Sequence, residues 1–466
     1  MKKIFFVQFI LFVCCLPMYS QTKLAEIFGD NMVLQQNSDV AVWGIDRPNT
    51  SISIQSSWGQ VAKTTSDKKG HWQVKIKTIK AGGPYLLNVT GSQKIVLKDV
   101  LLGEVWLCSG QSNMEMPMKG FTGQPINNSN DFILKSANSQ LRYFDVKRQL
   151  GVEPIDKIAG GKWEIASPAT TPNVSAVAYF YGKILQETLK VPVGLICSSW
   201  GGTPAEGWTS KETLASNFPD MNLAVTKGNL NQGSPSGLYN GMIHPLLPFG
   251  IKGVIWYQGE NNKNRYQNYE KLFSAMIGNW RTAFQQADMP FYFVQIAPYI
   301  YSKEINSAFL RETQLKTMLN TKNTGMAVSL DAGEEHSIHP AEKQKIGERL
   351  AYWSLAKTYK MNGIEFSGPV YKSMGIKEGK VYLAFDYAQN GLFSPSRDIE
   401  NFEIAGENKV FYPAKAKIVK GNLEVWSETI TKPVAVRYAW NNFLTASLFN
   451  TAGLPASSFR TDNWEK

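Results

Sequence analysis

Between positions 105 and 114 the chain reads Val105-Trp106-Leu107-Cys108-Ser109-Gly110-Gln111-Ser112-Asn113-Met114, a short apolar run followed by a glycine and a polar cluster. Continuously apolar runs of this length are typical of strands buried on both faces of a parallel sheet. Gly110 permits a tight turn, so Ser112 can project above the sheet edge, where nearby backbone N–H groups can stabilise an oxyanion. A serine in this position is as often only the cap of a helix, and the stretch alone leaves both interpretations open.

Four more apolar runs of the same type follow along the chain, at 193–197, 254–257, 291–294 and 326–330. Segments with helical periodicity lie between and after them, at 175–189, 266–284, 305–319 and 342–358. Strands and helices that alternate in this order predict right-handed crossovers and a doubly wound α/β domain with a parallel sheet. In such sheets ligands bind beyond the carboxyl ends of the strands, so the residues that follow each strand are the candidates for a site.

The segments that flank this α/β region have the pattern of β-structure. From 21 to 100, short alternating runs separated by turn residues predict a small β-sandwich or jelly-roll-like module. From 361 to 466, short strands with glycine and proline turns return, so a second β-rich region is expected there. The α/β domain itself is predicted to span 101–360.

The first 20 residues have the pattern of a signal peptide. Lys2 and Lys3 precede an apolar run at 4–16 that is too short to span a bilayer as a structural helix. We therefore expect cleavage near Ser20 and an exported protein, periplasmic or extracellular, that is not inserted in the membrane.

Composition narrows the classes of partner and chemistry. A chain of 466 residues implies two or three domains. The formal net charge is +11, but lysine and arginine are dispersed along the chain, which argues against nucleic-acid binding. Beyond the predicted signal peptide only Cys108 and Cys197 remain, so neither a disulfide framework nor a zinc site is expected, and buried thiols are favoured over a bridge. The oligomeric state is left open.

Polar clusters follow four of the predicted strands. Ser112 follows the first, and a pair of glycines at 201–202, which lets a backbone N–H approach a ligand closely, follows the second. Asn262 follows the third and can donate to an oxyanion. The fifth is followed by His339, which can act as a general base toward a serine. Together these clusters indicate a serine-dependent active site.

A metal site is the alternative interpretation of the last cluster. His336 and His339 with Glu335 offer three potential ligands. His-x-x-His in a loop lacks the helical spacing of zinc proteases, so the sequence favours neither a metal nor another cofactor.

The motifs resemble those of the sialate O-acetylesterase family, a branch of the SGNH hydrolases. The matching stretches run through nearly the whole chain beyond the signal peptide: 31–35, 42–44, 103–106, 110–114, 200–203, 253–260, 338–340, 453–455 and 459–460. The resemblance implies a flavodoxin-like SGNH fold and a metal-independent serine esterase. Its substrates would be O-acetylated sugars, with 9-O-acetylated sialic acids as the type.

The resemblance also implies roles for individual residues. Ser112 corresponds to the nucleophile and His339 to the general base. The oxyanion hole would consist of the N–H groups of Ser112 and Gly202, with Gly201 as the alternative, and of the amide of Asn262. The neighbouring Asn261 is the alternative to Asn262. Further residues are expected to bind the substrate: Gln111, Trp200, Glu260 and Arg265.

The orienting acid is where the chain departs from its relatives. Many of them carry aspartate two or three residues before the histidine, whereas here those positions hold Ser337 and His336. A carboxylate stabilises the imidazolium in a way that a neutral side chain does not. Glu335 is therefore predicted as the acid, with Glu334 or Asp331 as alternatives. The remaining possibility is a dyad in which a backbone carbonyl orients the imidazole.

Three other functions compete with a sialate esterase. An acetylxylan-type polysaccharide deacetylase and a lipase-like enzyme would use the same catalytic residues. A non-catalytic glycan-binding protein is disfavoured because a pure binder has no need of a serine and a histidine at the ends of separate strands.

Overall fold

The computed structural model describes residues 21–302, 304–396 and 398–464. The predicted signal peptide at 1–20 lies outside these ranges. No helix of the described chain is both long and apolar enough to cross a membrane.

The N-terminal part is β-structure. Its strands are β1 (Lys23–Leu24), β2 (Val33–Gln35), β3 (Asp39–Ile45), β4 (Ser51–Ser56), β5 (Val61–Thr65), β6 (His71–Lys77), β7 (Gly82–Thr90) and β8 (Lys94–Gly110). Strands β1, β3 and β6 form one antiparallel sheet, and β4 pairs with β5 and β7. Buried and exposed residues alternate along β4, so that Ile52 and Ile54 face the interior, as expected for a sandwich.

Strand β8 connects this part to the α/β region. Its first half pairs antiparallel with β7, and its second half lies in the central parallel sheet. The predicted domain boundary at 100–101 thus falls inside a strand.

The central region alternates strands and helices. Its elements are α1 (Ser112–Glu115), α2 (Ser129–Leu134), β9 (Asn138–Asp145), β10 (Trp163–Ala166), α3 (Ala176–Leu189), β11 (Val193–Ser199), α4 (Lys211–Asn217), β12 (Gly253–Tyr257), α5 (Tyr269–Ala283), β13 (Phe291–Val294), α6 (Ala308–Asn320), β14 (Thr324–Ala327) and α7 (Lys343–Trp353).

The strand order of the central sheet is β10-β9-β11-β8-β12-β13-β14. The pairs from β9 to β14 are parallel, and β10 is an antiparallel edge strand. Strands β11-β8-β12-β13-β14 reproduce the flavodoxin-like order, with the switch point at β8. Helix α3 packs on α7 and α5 packs on α6. The prediction of a doubly wound α/β fold is confirmed.

Several predicted element limits differ from the structure. The helix expected at 266–284 begins as α5 only at Tyr269, after a 3-10 segment over Glu260–Asn268. The run at 326–330 is a strand only as far as Ala327. The sequence does not predict strands β9 and β10, because β10 is the edge strand and both carry polar residues. One of these is Arg142, which is buried and bonded to Asp99.

The C-terminal part returns to β-structure. Its strands are β15 (Val370–Lys377), β16 (Lys380–Asp386), β17 (Leu392–Phe393), β18 (Phe402–Ala405), β19 (Phe411–Pro413), β20 (Lys415–Val419), β21 (Asn422–Trp426), β22 (Ala435–Tyr438), β23 (Phe449–Asn450) and β24 (Phe459–Arg460). They form small antiparallel sheets, β15-β16-β21-β20, β17-β23 and β19-β18-β22-β24.

The two remaining cysteines are free, buried thiols, as the sequence favours. Cys108 and Cys197 are in-register neighbours on β8 and β11.

Candidate active site

Ser112 lies directly beyond the central strand of the sheet. Gly110, the last residue of β8, has φ of 141°, and a Cβ there would come within 2.2 Å of the Tyr257 carbonyl oxygen on β12. Only glycine therefore lets the chain leave the sheet at this point. Gln111 N–H then donates to the same carbonyl at 2.9 Å, and Ser112 begins helix α1.

His339 lies in the loop between β14 and α7 and meets Ser112. Its Nε2 is 2.7 Å from Ser112 Oγ. Burial, and then the charge of Lys343, lower the pKa of His339 to about 4. The imidazole is therefore neutral at pH 7 and can accept the hydroxyl proton through Nε2. The other ring nitrogen, Nδ1, then carries the hydrogen.

The partner of His339 Nδ1 is Gln124, whose Oε1 lies 2.7 Å away. An amide oxygen accepts the Nδ1 hydrogen and so holds the ring in the tautomer that leaves Nε2 free to take a proton. It brings no negative charge, which separates this arrangement from an aspartate-containing triad.

The three candidate acids contact other groups. Asp331 pairs with Arg349 at 2.6 Å, and Glu334 accepts from the Ala341 N–H at 2.6 Å. Glu335 lies 3.8 Å from His336 at the exposed rim of the loop. The predictions of Glu335, Glu334 and Asp331 as the orienting acid thus have no counterpart in the contacts of His339. Asp331 is therefore held by a cation and Glu334 by a backbone amide, and Glu335 lies at the exposed rim.

Gln124 was missed by the sequence reasoning. It ends a tight turn in which Phe121 and Gln124 exchange two backbone hydrogen bonds, each of 3.0 Å. The Phe121 ring contacts the imidazole edge-on, with the ring centroids 5.4 Å apart. Glycines at 120 and 123 mark the turn in the sequence, but nothing in the sequence associates it with position 339.

The two predicted glycines differ in the state of their amides. Gly201 N–H donates to Glu115 at 2.9 Å, so this donor is occupied. Gly202 has φ of 71°, and its carbonyl accepts from Asn261 at 2.7 Å. The N–H groups of Gly202 and Ser112 have no hydrogen-bond acceptor among the residues that the structure describes. They are the free donors beside the serine.

Asn262 is buried. Its Oδ1 accepts from the Ala205 N–H at 3.0 Å and from Gln258 at 2.7 Å. Because a backbone N–H only donates, the amide orientation is fixed, and Nδ2 faces Glu206 at 2.8 Å. One hydrogen of Nδ2 remains for another acceptor.

The residues predicted to bind substrate fall into two groups. Gln111 and Glu260 are buried and bond within the protein, Gln111 to backbone N–H groups of the β12–α5 loop and Glu260 to Asn113. Trp200 is half-buried beneath the guanidinium of Arg148, 5.1 Å from its ring centroid, and Arg265 pairs with Glu206 at 3.3 Å. Only the second group keeps a surface that a ligand can reach.

A serine bonded to a neutral histidine at the carboxyl edge of a doubly wound sheet, beside free backbone N–H groups, is the arrangement of hydrolases with a serine nucleophile. The comparisons with known proteins define the class further. The chain belongs to the carbohydrate esterase, sialic acid-specific acetylesterase family, whose profile matches residues 102–356. The predicted family and the prediction of an esterase are therefore confirmed.

Known proteins are similar to this one over most of its chain. The human sialate O-acetylesterase is 29% identical, with 90% of this chain and 88% of the relative aligned. The mouse sialate O-acetylesterase is also 29% identical, with 94% of each chain aligned. A crystal structure of a carbohydrate acetylesterase from Xanthomonas citri has a TM-score of 0.87 and 36% identity, and covers 95% of this chain and 100% of its own.

Proposed function

We propose that the protein releases acetate from O-acetylated sugars through Ser112 as nucleophile and His339 as general base, with 9-O-acetylated sialic acids as substrates. The observation that carries the mechanism is the distance of 2.7 Å between Ser112 Oγ and His339 Nε2. The substrate class is supported by the sialate O-acetylesterases of human and mouse, which align with most of the chain.

The first half of the reaction forms an acetyl-enzyme. Ser112 Oγ attacks the carbonyl carbon of the acetyl ester while its proton passes to His339 Nε2. Negative charge develops on the carbonyl oxygen, where the N–H groups of Ser112 and Gly202 and the second hydrogen of Asn262 Nδ2 are the proposed donors. The bond to the sugar oxygen then breaks, and that oxygen takes the proton from His339.

The second half hydrolyses the acetyl-enzyme. Water gives a proton to His339 Nε2 and attacks the acetyl carbon, and the bond to Ser112 Oγ breaks. The proton returns to Oγ, and acetate leaves. Throughout, Gln124 Oε1 is proposed to hold the Nδ1 hydrogen, so that the same ring orientation serves both halves.

A neutral acetylated polysaccharide, of the acetylxylan type, is the second candidate substrate. Arg265, the cation predicted near the site, is paired with Glu206 and does not offer a free charge for a sugar carboxylate. The Xanthomonas citri relative is described only as a carbohydrate acetylesterase.

Acetate release separates these substrates. The protein is incubated with 9-O-acetyl-N-acetylneuraminic acid and, separately, with acetylated xylan, and acetate is quantified. We expect the sialic acid ester to be hydrolysed with the higher kcat/KM. Faster release of acetate from acetylated xylan would identify the polysaccharide as the substrate instead.

The mechanism is tested by Ser112→Ala on 4-nitrophenyl acetate. Loss of the nucleophile should lower kcat by about 10³-fold or more. The matched control is Ser109→Ala, at a buried serine in the preceding strand β8 whose hydroxyl has no partner among the described residues. Equal activity of Ser112→Ala and the native protein would contradict the serine mechanism.

The proposal also covers the N-terminal segment and the two β modules that flank the α/β domain. The basic and apolar residues at 1–20 support a signal peptide and a periplasmic or extracellular location. We assign the modules at 21–100 and 361–466 to bracing the α/β domain at 101–360.

A further inference from the structure

A buried amide lies beside the nucleophile. Asn113, which follows Ser112 in helix α1, is 1% exposed. Its Nδ2 donates to Glu260 Oε1 at 2.6 Å and to the carbonyl oxygen of Ile338 at 3.0 Å. Its Oδ1 accepts from Lys343 Nζ at 2.5 Å. One amide thus joins three segments of the chain: helix α1, the loop after β12 and the stretch 338–343.

The joined segments are those that carry the active-site groups. Asn113 is the neighbour of Ser112, and Ile338 is the neighbour of His339. Glu260 lies in the loop that carries Asn262. The amide cannot rotate without loss, because the ammonium of Lys343 only donates and the carbonyl of Ile338 only accepts.

The two charged partners are buried at a cost. Lys343 has no exposed surface and Glu260 is 3% exposed. Lys343 is also the first residue of α7, where the helix dipole disfavours a cation. Buried charges that burden folding in this way persist where they are held by specific partners. Here Asn113 lies between the two and bonds to Glu260 Oε1 and to Lys343 Nζ.

We propose that Asn113, held between Lys343 and Glu260, is a positioning residue that fixes the contact between Ser112 and His339. This inference rests on the proposed serine mechanism. It assigns no contact with substrate to Asn113. Its effect passes through the backbone of Ile338 to His339 and along helix α1 to Ser112.

Lys343 has a second consequence, through its charge. Burial lowers the pKa of Lys343 to about 7, so the ammonium is charged in the acid range where His339 titrates. A nearby cation disfavours the imidazolium. After burial, the charge of Lys343 is the second cause that lowers the pKa of His339. Lys343 therefore helps to keep the general base neutral as the pH falls.

Other groups face this cluster. The charge of Glu334 raises the pKa of Lys343, against the effect of burial. The centroid of the Tyr257 ring lies 5.6 Å from Lys343 Nζ. Burial raises the pKa of Glu260, and the cations that act against this are Lys343 and Lys263. Buried tyrosines whose pKa is raised in part by Glu260 complete the set: Tyr257, Tyr269 and Tyr301.

Two variants separate the positioning effect from the charge effect. Asn113→Ala removes the bridge but keeps both charges, and should lower kcat for 4-nitrophenyl acetate by about 10- to 100-fold with KM little changed. Lys343→Met keeps the volume but removes the charge, and should move the acid limb of kcat/KM to higher pH by about one unit. Lys345→Met is the control, since Lys345 is half-exposed on the same helix and pairs with Asp331 at 3.5 Å.

Folding is monitored in each variant by thermal melting. The double variant Lys343→Met with Glu260→Gln removes both buried charges, and keeps the test valid if Lys343→Met alone unfolds. A native kcat in Asn113→Ala would overturn the positioning role, and a native acid limb in Lys343→Met would overturn the charge effect. If Ser112→Ala also retains native activity, the serine mechanism itself is wrong, so the two failures are distinguishable.

Discussion

At the scale of single residues, the partner of His339 Nδ1 determines how the site responds to pH. Gln124 orients the ring as a carboxylate does, but adds no charge that would favour the imidazolium. With a pKa of about 4, His339 stays neutral through the mildly acidic range. The folded enzyme should therefore keep its kcat/KM from pH 8 down to pH 5, with the acid limb near the pKa of His339.

The substitution Gln124→Glu tests this account at constant volume. A carboxylate beside Nδ1 stabilises the charged imidazole, so the pKa of His339 rises and the acid limb moves to higher pH. Activity at pH 8 is retained or increased, since the imidazolium formed during the attack is also stabilised. The measurement is a pH profile of kcat/KM on 4-nitrophenyl acetate, with Gln124→Met as the matched variant that removes the bond. An acid limb at the native position in Gln124→Glu would contradict the assigned contact.

The same residues define what the sequence can predict about the site. Ser112 and His339 are predictable because each follows a strand whose apolar pattern is strong. Gln124 is not, because its contact with His339 spans 215 positions of the chain and depends on how the turn is placed. Asn113 and Lys343 leave only one signal, a lysine at the start of a helix, which the helix dipole disfavours.

At the scale of elements, the turn at 120–124 presents both Phe121 and Gln124 to the imidazole. Gly120 has φ of 77° and Gly123 has φ of 72°. A Cβ at Gly120 would come within 2.4 Å of the Gln124 carbonyl oxygen, whereas one at Gly123 would meet nothing within 4 Å. The two glycines share the left-handed conformation and differ only in the space around them.

This pair gives a matched test of the turn. Alanine at either position adds about 1 kcal/mol of backbone strain, but only Gly120→Ala must displace Gln124. We expect Gly120→Ala to reduce kcat about as much as Gln124→Met does, and Gly123→Ala to have a clearly smaller effect. Both are measured on 4-nitrophenyl acetate with melting temperatures alongside. Equal losses of kcat in the two variants would show that strain, rather than the position of Gln124, controls activity.

Elements differ in how readily the sequence reveals them. The strands at the centre of the sheet are covered on both faces, so their residues are apolar without interruption. The sequence therefore predicts them as strands. Strand β9 and the edge strand β10 carry polar residues whose burial depends on partners elsewhere, as for Arg142 with Asp99. The predicted helix limits differ from the observed ones where short 3-10 or π segments continue the helical pattern, as at Glu260–Asn268 and Ser354–Thr358.

At the scale of the whole molecule, the C-terminal β-rich region is attached to the segments that follow β13 and β14 and to helix α6. Gln295, directly after β13, donates to Ser457 at 2.7 Å, and Ala446 N–H donates to Leu330 O at 3.3 Å. Arg311 on α6 is fully buried and bonds to Ser458 at 2.8 Å and to the carbonyl oxygen of Ala439 at 3.1 Å. Buried polar contacts therefore add to the apolar packing that joins this region to the α/β domain.

Arg311→Met tests whether these contacts brace the fold or act on the site. Removing the guanidinium takes a donor from two buried hydroxyls and two carbonyl oxygens, so the free energy of unfolding should fall by about 3 kcal/mol. Lys316→Met is the control on the same helix, because Lys316 is half-exposed in its ion pair with Glu312 at 3.3 Å, and its loss should cost less than about 1 kcal/mol. Stability is followed by urea unfolding, and kcat is measured at 25 °C on the folded protein. Since Arg311 contacts none of the active-site residues, kcat should stay near its native value, and a large loss of kcat without loss of stability would assign the C-terminal region a direct part in catalysis instead.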